Sequence, residues 1–183
     1  MKALVHIIFL CTLSAIGYGL IHDQITARVC QEYFTLGHRT PEFVPRNPAA
    51  LGLFWGVAAT WWAGFLIGVP LACAARLGKL PTVAPKDLVR PVLTLLLSML
   101  GIAMLGLALT LFAGLAGVVP KSWLAAVPEG VPGERVVRFV ADAVAHNLSY
   151  AVGFFGGVRL WTSTLLTRRR LQRTQTAIES PLA

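Results

Sequence analysis

Four apolar stretches, each long enough to cross a lipid bilayer as a helix, constrain this chain more than any other feature. The hydrocarbon core of a bilayer is roughly 30 Å thick and a helix rises about 1.5 Å per residue, so a crossing takes about 20 residues. Residues 3–21, 51–75, 91–119 and 140–166 meet that length. Spanning strands are excluded, because unpaired backbone groups are too costly in lipid and these runs show no polar/apolar alternation. The expected fold is therefore all-α, a polytopic transmembrane four-helix bundle. A membrane domain of residues 1–170 carries the spans (about 3–21, 51–75, 91–119 and 140–166), and residues 171–183 form a disordered cytoplasmic tail.

Composition agrees. The chain has 183 residues, of which 56% are hydrophobic and 13% charged, too much oil for a water-soluble surface. Its net charge of +8 does not indicate a nucleic-acid partner, because the basic residues border the apolar runs instead of alternating with aromatics on one face. Met1-Lys2 followed by an apolar run also fits a signal peptide. A clear small-x-small cleavage site is missing, no small residue precedes Cys11 as a lipoprotein signal requires, and three spans follow, so a retained anchor is expected. Cys11, Cys30 and Cys73 lack metal-ligand spacing and read as unpaired thiols.

Border charges orient the spans. The loop after the second span holds Arg76, Lys79, Lys86 and Arg90 against Asp87 alone, and the segment after the fourth holds Arg168, Arg169, Arg170 and Arg173. Cytoplasmic loops collect such an excess. With Lys2 inside, both termini lie in the cytoplasm and the two longer loops, with mixed charge, lie outside. This is the pattern of a multi-pass inner (plasma) membrane protein. The C-terminal arginines would also suit anionic lipid. His6 and Arg159 are ionisable residues at inner depth and read as interfacial side chains.

Helix punctuation refines the spans. Pro48 and Pro91 suit first turns, Gly78 a stop after Arg76, and Pro70 should kink the second span. Trp55, Trp61, Trp62 and Trp123 mark the outer interface. The first helix should continue past its span to about Leu36, projecting from the membrane or bending along its surface, with Gly37 as a cap. Small residues recur every fourth position at Gly52, Gly56, Thr60, Gly64, Gly68 and Ala72, again at Ala141, Ala145, Ser149, Gly153 and Gly157, and more briefly at Gly106, Thr110 and Gly114. Such stripes let backbones approach, within the chain or between copies.

Polar residues gather where the first and fourth spans reach the outer face. His22, Asp23, Glu32 and Tyr33 follow the first span; Asp142, His146 and Tyr150 are four apart on the fourth, which aligns carboxylate, imidazole and phenol. Two histidines beside carboxylates are the ligand types of zinc or iron and also the arrangement used for proton transfer. The competing interpretation is a structural hydrogen-bonded cluster tying the two helices. No H-E-x-x-H or E-x-x-H pattern is present.

The segments His22-Asp23-Gln24-Ile25-Thr26-Ala27-Arg28, Glu32-Tyr33-Phe34-Thr35, Trp55-Gly56 with Ala59-Thr60-Trp61-Trp62, and His146-Asn147 with Ser149-Tyr150 carry a resemblance. In these the chain resembles a group of small bacterial membrane proteins with no assigned function. The resemblance implies a bacterial four-span protein and lends no catalytic residues.

Three functions fit these features. The first is a non-enzymatic packing or assembly component, with a homo-oligomer or another membrane protein as partner and the polar cluster as its structural tie. The second is a metal- or haem-binding membrane enzyme or redox protein using His22 and His146, with a transition metal as cofactor. The third is an oligomeric small transporter subunit.

Overall fold

The structure is a computed structural model that describes residues 1–179. Among the described residues it is all helix, turn and loop. Its elements are α1 (Lys2–Val29), α2 (Gln31–Thr35), α3 (Pro48–Ala58), α4 (Trp61–Arg76), α5 (Pro85–Leu115), α6 (Lys121–Ala125), a 3₁₀ turn (Gly133–Arg135) and α7 (Val136–Glu179). Three helical stretches are long and apolar enough to cross a membrane: Lys2–Val29, Pro48–Arg76 and Pro85–Leu115. The chain is a membrane protein on that ground. The longer helix α7 is not among them, because Asp142, His146, Asn147 and Arg159 dilute its apolar residues.

Several boundaries differ from those expected. The first helix breaks at Cys30, whose backbone is extended (φ −150°, ψ 97°), and the short α2 then packs against α3 and α7. Cys30, Tyr33 and Phe34 are buried there, and that burial fixes the bend. The second span is divided at Ala59-Thr60, whereas Pro70 is accommodated inside α4. Helix α5 starts before Pro91: Pro85 occupies the first turn, where its missing N–H costs nothing, and Asp87 favours the positive end of the helix dipole. Residues 171–179 continue α7 instead of forming a disordered tail, since Leu171, Gln172, Arg173 and Ala177 are good helix formers. Residues 180–183 lie outside the described residues.

Other signals hold locally. Asn47 caps α3 by accepting from the Ala50 N–H at 3.0 Å, with Pro48 at the first helical position. Past Arg76 the chain turns at Gly78, φ +82°, a backbone region that a Cβ disfavours. The three cysteines are free.

Packing pairs α1 with α3 and α4, and α5 with α7; contacts of α1 with α5 and of α4 with α7 join the pairs. The glycine stripe makes the first pairing. A Cβ at Gly56 would lie 2.8 Å from Leu20 Cα, one at Gly64 2.7 Å from the Cys11 carbonyl oxygen, and one at Gly52 2.8 Å from the Asp23 carbonyl oxygen. The stripe is thus consumed inside the chain. Phe9, Leu13, Leu66, Leu97, Leu105, Leu109, Phe112 and Phe154 point outward, as apolar side chains do when lipid is the solvent. One apolar cluster, built on Ile7, Cys11, Leu71, Ala72, Leu88, Val92 and Leu160, fills the half nearer Lys2. Another, around Ala27, Cys30, Phe34, Leu51 and Phe139, surrounds the far end where the polar residues meet.

Arg168 departs from the sequence reading as a lipid contact. Only 1% of it is exposed; its guanidinium donates to the carbonyls of Leu80 and Pro81, each at 2.8 Å, and to that of Ala74. It closes the carboxyl end of α4, where a cation suits unpaired carbonyls. Arg169, Arg170 and Arg173 stay exposed, as do His6 and Arg159.

Candidate functional site

Helix α1 supplies His22 and Asp23 as neighbours, and α7 supplies His146; all three are buried. The two imidazoles meet at 4.6 Å between ring centres, nearly perpendicular at 89°. Asp23 Oδ1 lies 2.9 Å from His22 Nδ1 and 3.4 Å from His146 Nε2, touching both rings.

Hydrogen bonding fixes the tautomers. The carbonyl of Asp142 can only accept, so His146 Nδ1, 2.8 Å away, carries a hydrogen, and in the neutral ring its Nε2 presents a lone pair. His22 Nδ1 donates to the Asp23 carboxylate in the same sense, and His22 Nε2, buried, has no partner. Both carboxyl oxygens of Asp142, which is fully buried, also lack a hydrogen-bond partner. The centre therefore holds buried polar atoms without hydrogen-bond partners, His22 Nε2 among them. His146 Nε2 and Asp23 Oδ1 in particular face each other as two acceptors, an arrangement that a proton or a metal cation between them satisfies. His22, Asp23 and His146 each offer a ligand atom within 4.8 Å of the others.

The surroundings are aromatic. Tyr33 stacks on His146 at 4.5 Å, bringing α2 over the site, and Tyr18 stacks on His22 at 5.5 Å. Tyr18 also shares a hydrogen bond with Ser149, tying α1 to α7. His38 Nδ1 donates to the Tyr33 carbonyl at 2.9 Å, and its ring lies 5.2 Å from Trp55. The Trp55 indole N–H donates to Thr40 at 3.0 Å, so this tryptophan holds the loop before α3, whereas Trp61, Trp62 and Trp123 are about half exposed. A chamber of about 260 Å³ opens among these groups, lined by His22, Asp23, His146, Tyr18, Tyr33 and Tyr150 among others.

Of the residues that the sequence nominates, His22, Asp23, Tyr33, His146 and Tyr150 come together here. Asp142 lies one turn from His146 with its carboxyl unpartnered. Glu32 turns away: its carboxylate accepts from the Cys30 thiol at 3.3 Å and from Arg135 at 3.4 Å. Arg135 reaches it from the 3₁₀ turn before α7, a pairing with no sequence signal. Tyr18, His38, Trp55 and Ser149 complete the chamber without having been nominated for it. Ser149 and Tyr18 lie one turn from His146 and His22 respectively, a spacing that could have indicated them.

Compared with protein-family models, with curated proteins and with solved structures, the chain has no match.

Proposed function

We propose that this chain is a four-span protein of a bacterial inner membrane with both ends cytoplasmic, and that its function resides in a transition-metal ion held by His22, Asp23 and His146 near the outer face. The observation that carries this reading is the buried cluster itself: His22, Asp23 and His146 each bring a ligand atom within 4.8 Å of the others, and His22 Nε2 has no hydrogen-bond partner. Two imidazoles and one carboxylate leave coordination positions open, the ligand set of catalytic zinc and of non-haem iron(II) sites. Asp142 adds a buried carboxyl one turn from His146, and its main-chain carbonyl orients that imidazole, a typical outer-sphere role. Imidazoles this close leave no space for a porphyrin between them, which favours a bare ion over haem.

The helix α7 counts as the fourth span in this proposal. Asp142 and His146, which belong to the site, account for part of its dilution, and intramembrane ionisable groups are functional candidates because they are costly.

A structural tie between α1 and α7 is the rival reading, favoured by the Tyr18–Ser149 hydrogen bond and the Tyr33–His146 stack. Metal analysis of the purified protein separates the two. The metal reading expects about one zinc or iron per chain, lost in His22→Ala and in His146→Ala; content near zero in the parent protein, before and after incubation with either ion, removes it. For the orientation, a membrane-impermeant amine reagent applied to intact cells should leave Lys79 and Lys86 unmodified.

A further inference from the structure

A second cavity, about 330 Å³ and almost wholly apolar, adjoins the polar chamber. The two share Tyr18, Ala59, Thr60, Trp62, Ser149 and Tyr150 in their walls, so they adjoin across these residues. From that junction the apolar arm runs down α1 to Cys11 and along α7 to Leu160, roughly 10 to 16 Å at helical rise. Ala63, Leu96, Met99 and Gly153 line it, and no charged side chain does. Leu66 and Phe154, which also line the arm, are mostly exposed on the surface that faces lipid.

We infer that the joined cavities bind a lipid-soluble quinol or its quinone, with the ring in the polar chamber and the isoprenoid or alkyl tail in the apolar arm. This inference rests on reading the His22–His146 chamber as a ligand site. Buried His22 Nε2 lacks a hydrogen-bond donor: without the proposed ion a quinol hydroxyl supplies one, and with the ion in place the quinol oxygen can instead occupy an open coordination position. Tyr18, Trp62 and Tyr150 offer ring faces and edges to a flat aromatic head. The absence of cations in the arm and the lone Asp23 carboxylate in the chamber disfavour an anionic head such as a fatty acid.

Trp62 borders both cavities, so the part of the tryptophan fluorescence lost in Trp62→Phe, quenched by a benzoquinone with a ten-carbon tail, reads occupancy. The purified protein should show saturable quenching. Gly153→Leu and Leu96→Trp, which fill the arm, should weaken that binding about tenfold while leaving a tail-free benzoquinone unaffected; their melting curves and metal content report whether they remain folded. Quenching that never saturates, or that ignores both folded arm variants, would reflect partition into detergent and overturn the proposal. A decanoic acid that displaces the quinone at equal concentration would overturn the assignment of a ring-bearing head. The metal reading fails separately: saturable, arm-dependent binding by protein shown to hold no metal keeps the quinol site and discards the ion, and a metal-loaded protein without saturable binding does the reverse.

Discussion

His22 and His146 lie edge to face, 4.6 Å between ring centres, with the Asp23 carboxylate against both. One imidazole comes from the pair of α1 with α3 and α4, the other from the pair of α5 with α7. At this end polar contacts join α1 to α7 alongside the apolar packing of Ala27 and Val29 near Phe139, Ala141 and Ala145. The hydrogen bonds, the aromatic walls and the proposed ion all act on that junction.

The Tyr18–Ser149 hydrogen bond should contribute measurably to it. Tyr18→Phe and Ser149→Ala are each expected to destabilise the protein in mild detergent by about 1 kcal/mol, and the double variant by little more than either alone. Strict additivity in thermal unfolding would show that the bond contributes nothing.

Substitutions at glycines should sort by what a side chain would meet. Gly56→Val and Gly64→Val press on the backbone of α1 and should cost about 1–3 kcal/mol or more. Gly101→Ala, with nothing within 4 Å of its Cβ and a place inside α5, should be neutral to stabilising. Equal melting temperatures for Gly64→Val and Gly101→Ala would refute the α1–α4 contact described above.

Arg168 should behave as a structural residue. Removing it with Arg168→Ala exposes three carbonyls at the end of α4 and its following loop, for an expected loss of about 2–3 kcal/mol. Arg168→Lys should rescue poorly, because one ammonium cannot reproduce the planar fork. Full rescue by lysine would instead assign the site to charge alone.

Burial, with the Glu32 carboxylate second, pushes the Cys30 thiol up to about 12. A raised thiol value favours the neutral form, so its stabilising contribution is complete below the ordinary value near 9 and fades as pH rises from there toward 12. At pH 8 Cys30 should react with a maleimide far more slowly than the less buried Cys73, and catch up only on unfolding. Comparable rates in the folded protein would contradict the burial.

The parts of this architecture that follow from periodicity and charge were legible in the sequence. Three stretches long enough to span, the glycine stripe, the first-turn Pro48, the stop at Gly78 and the convergence of His22 with His146 all follow from spacing along helices. Features made by contact between distant segments were not. The break at Cys30 depends on burial of Tyr33 and Phe34 over α7; the diversion of Glu32 depends on Arg135; and Arg168 reads as a border charge until Leu80 and Pro81 are seen folding over it. Pro91 marked a plausible start for α5, but Pro85 offered the same chemistry earlier.

The central claim, that two histidines and Asp23 hold one metal ion, is tested most directly by X-ray absorption on the zinc-loaded protein. The account predicts two imidazole nitrogens and oxygen ligands at about 2.0–2.2 Å, with the imidazole signal reduced in His22→Ala and again in His146→Ala. A spectrum of oxygen ligands alone, or one unchanged by both substitutions, would contradict it.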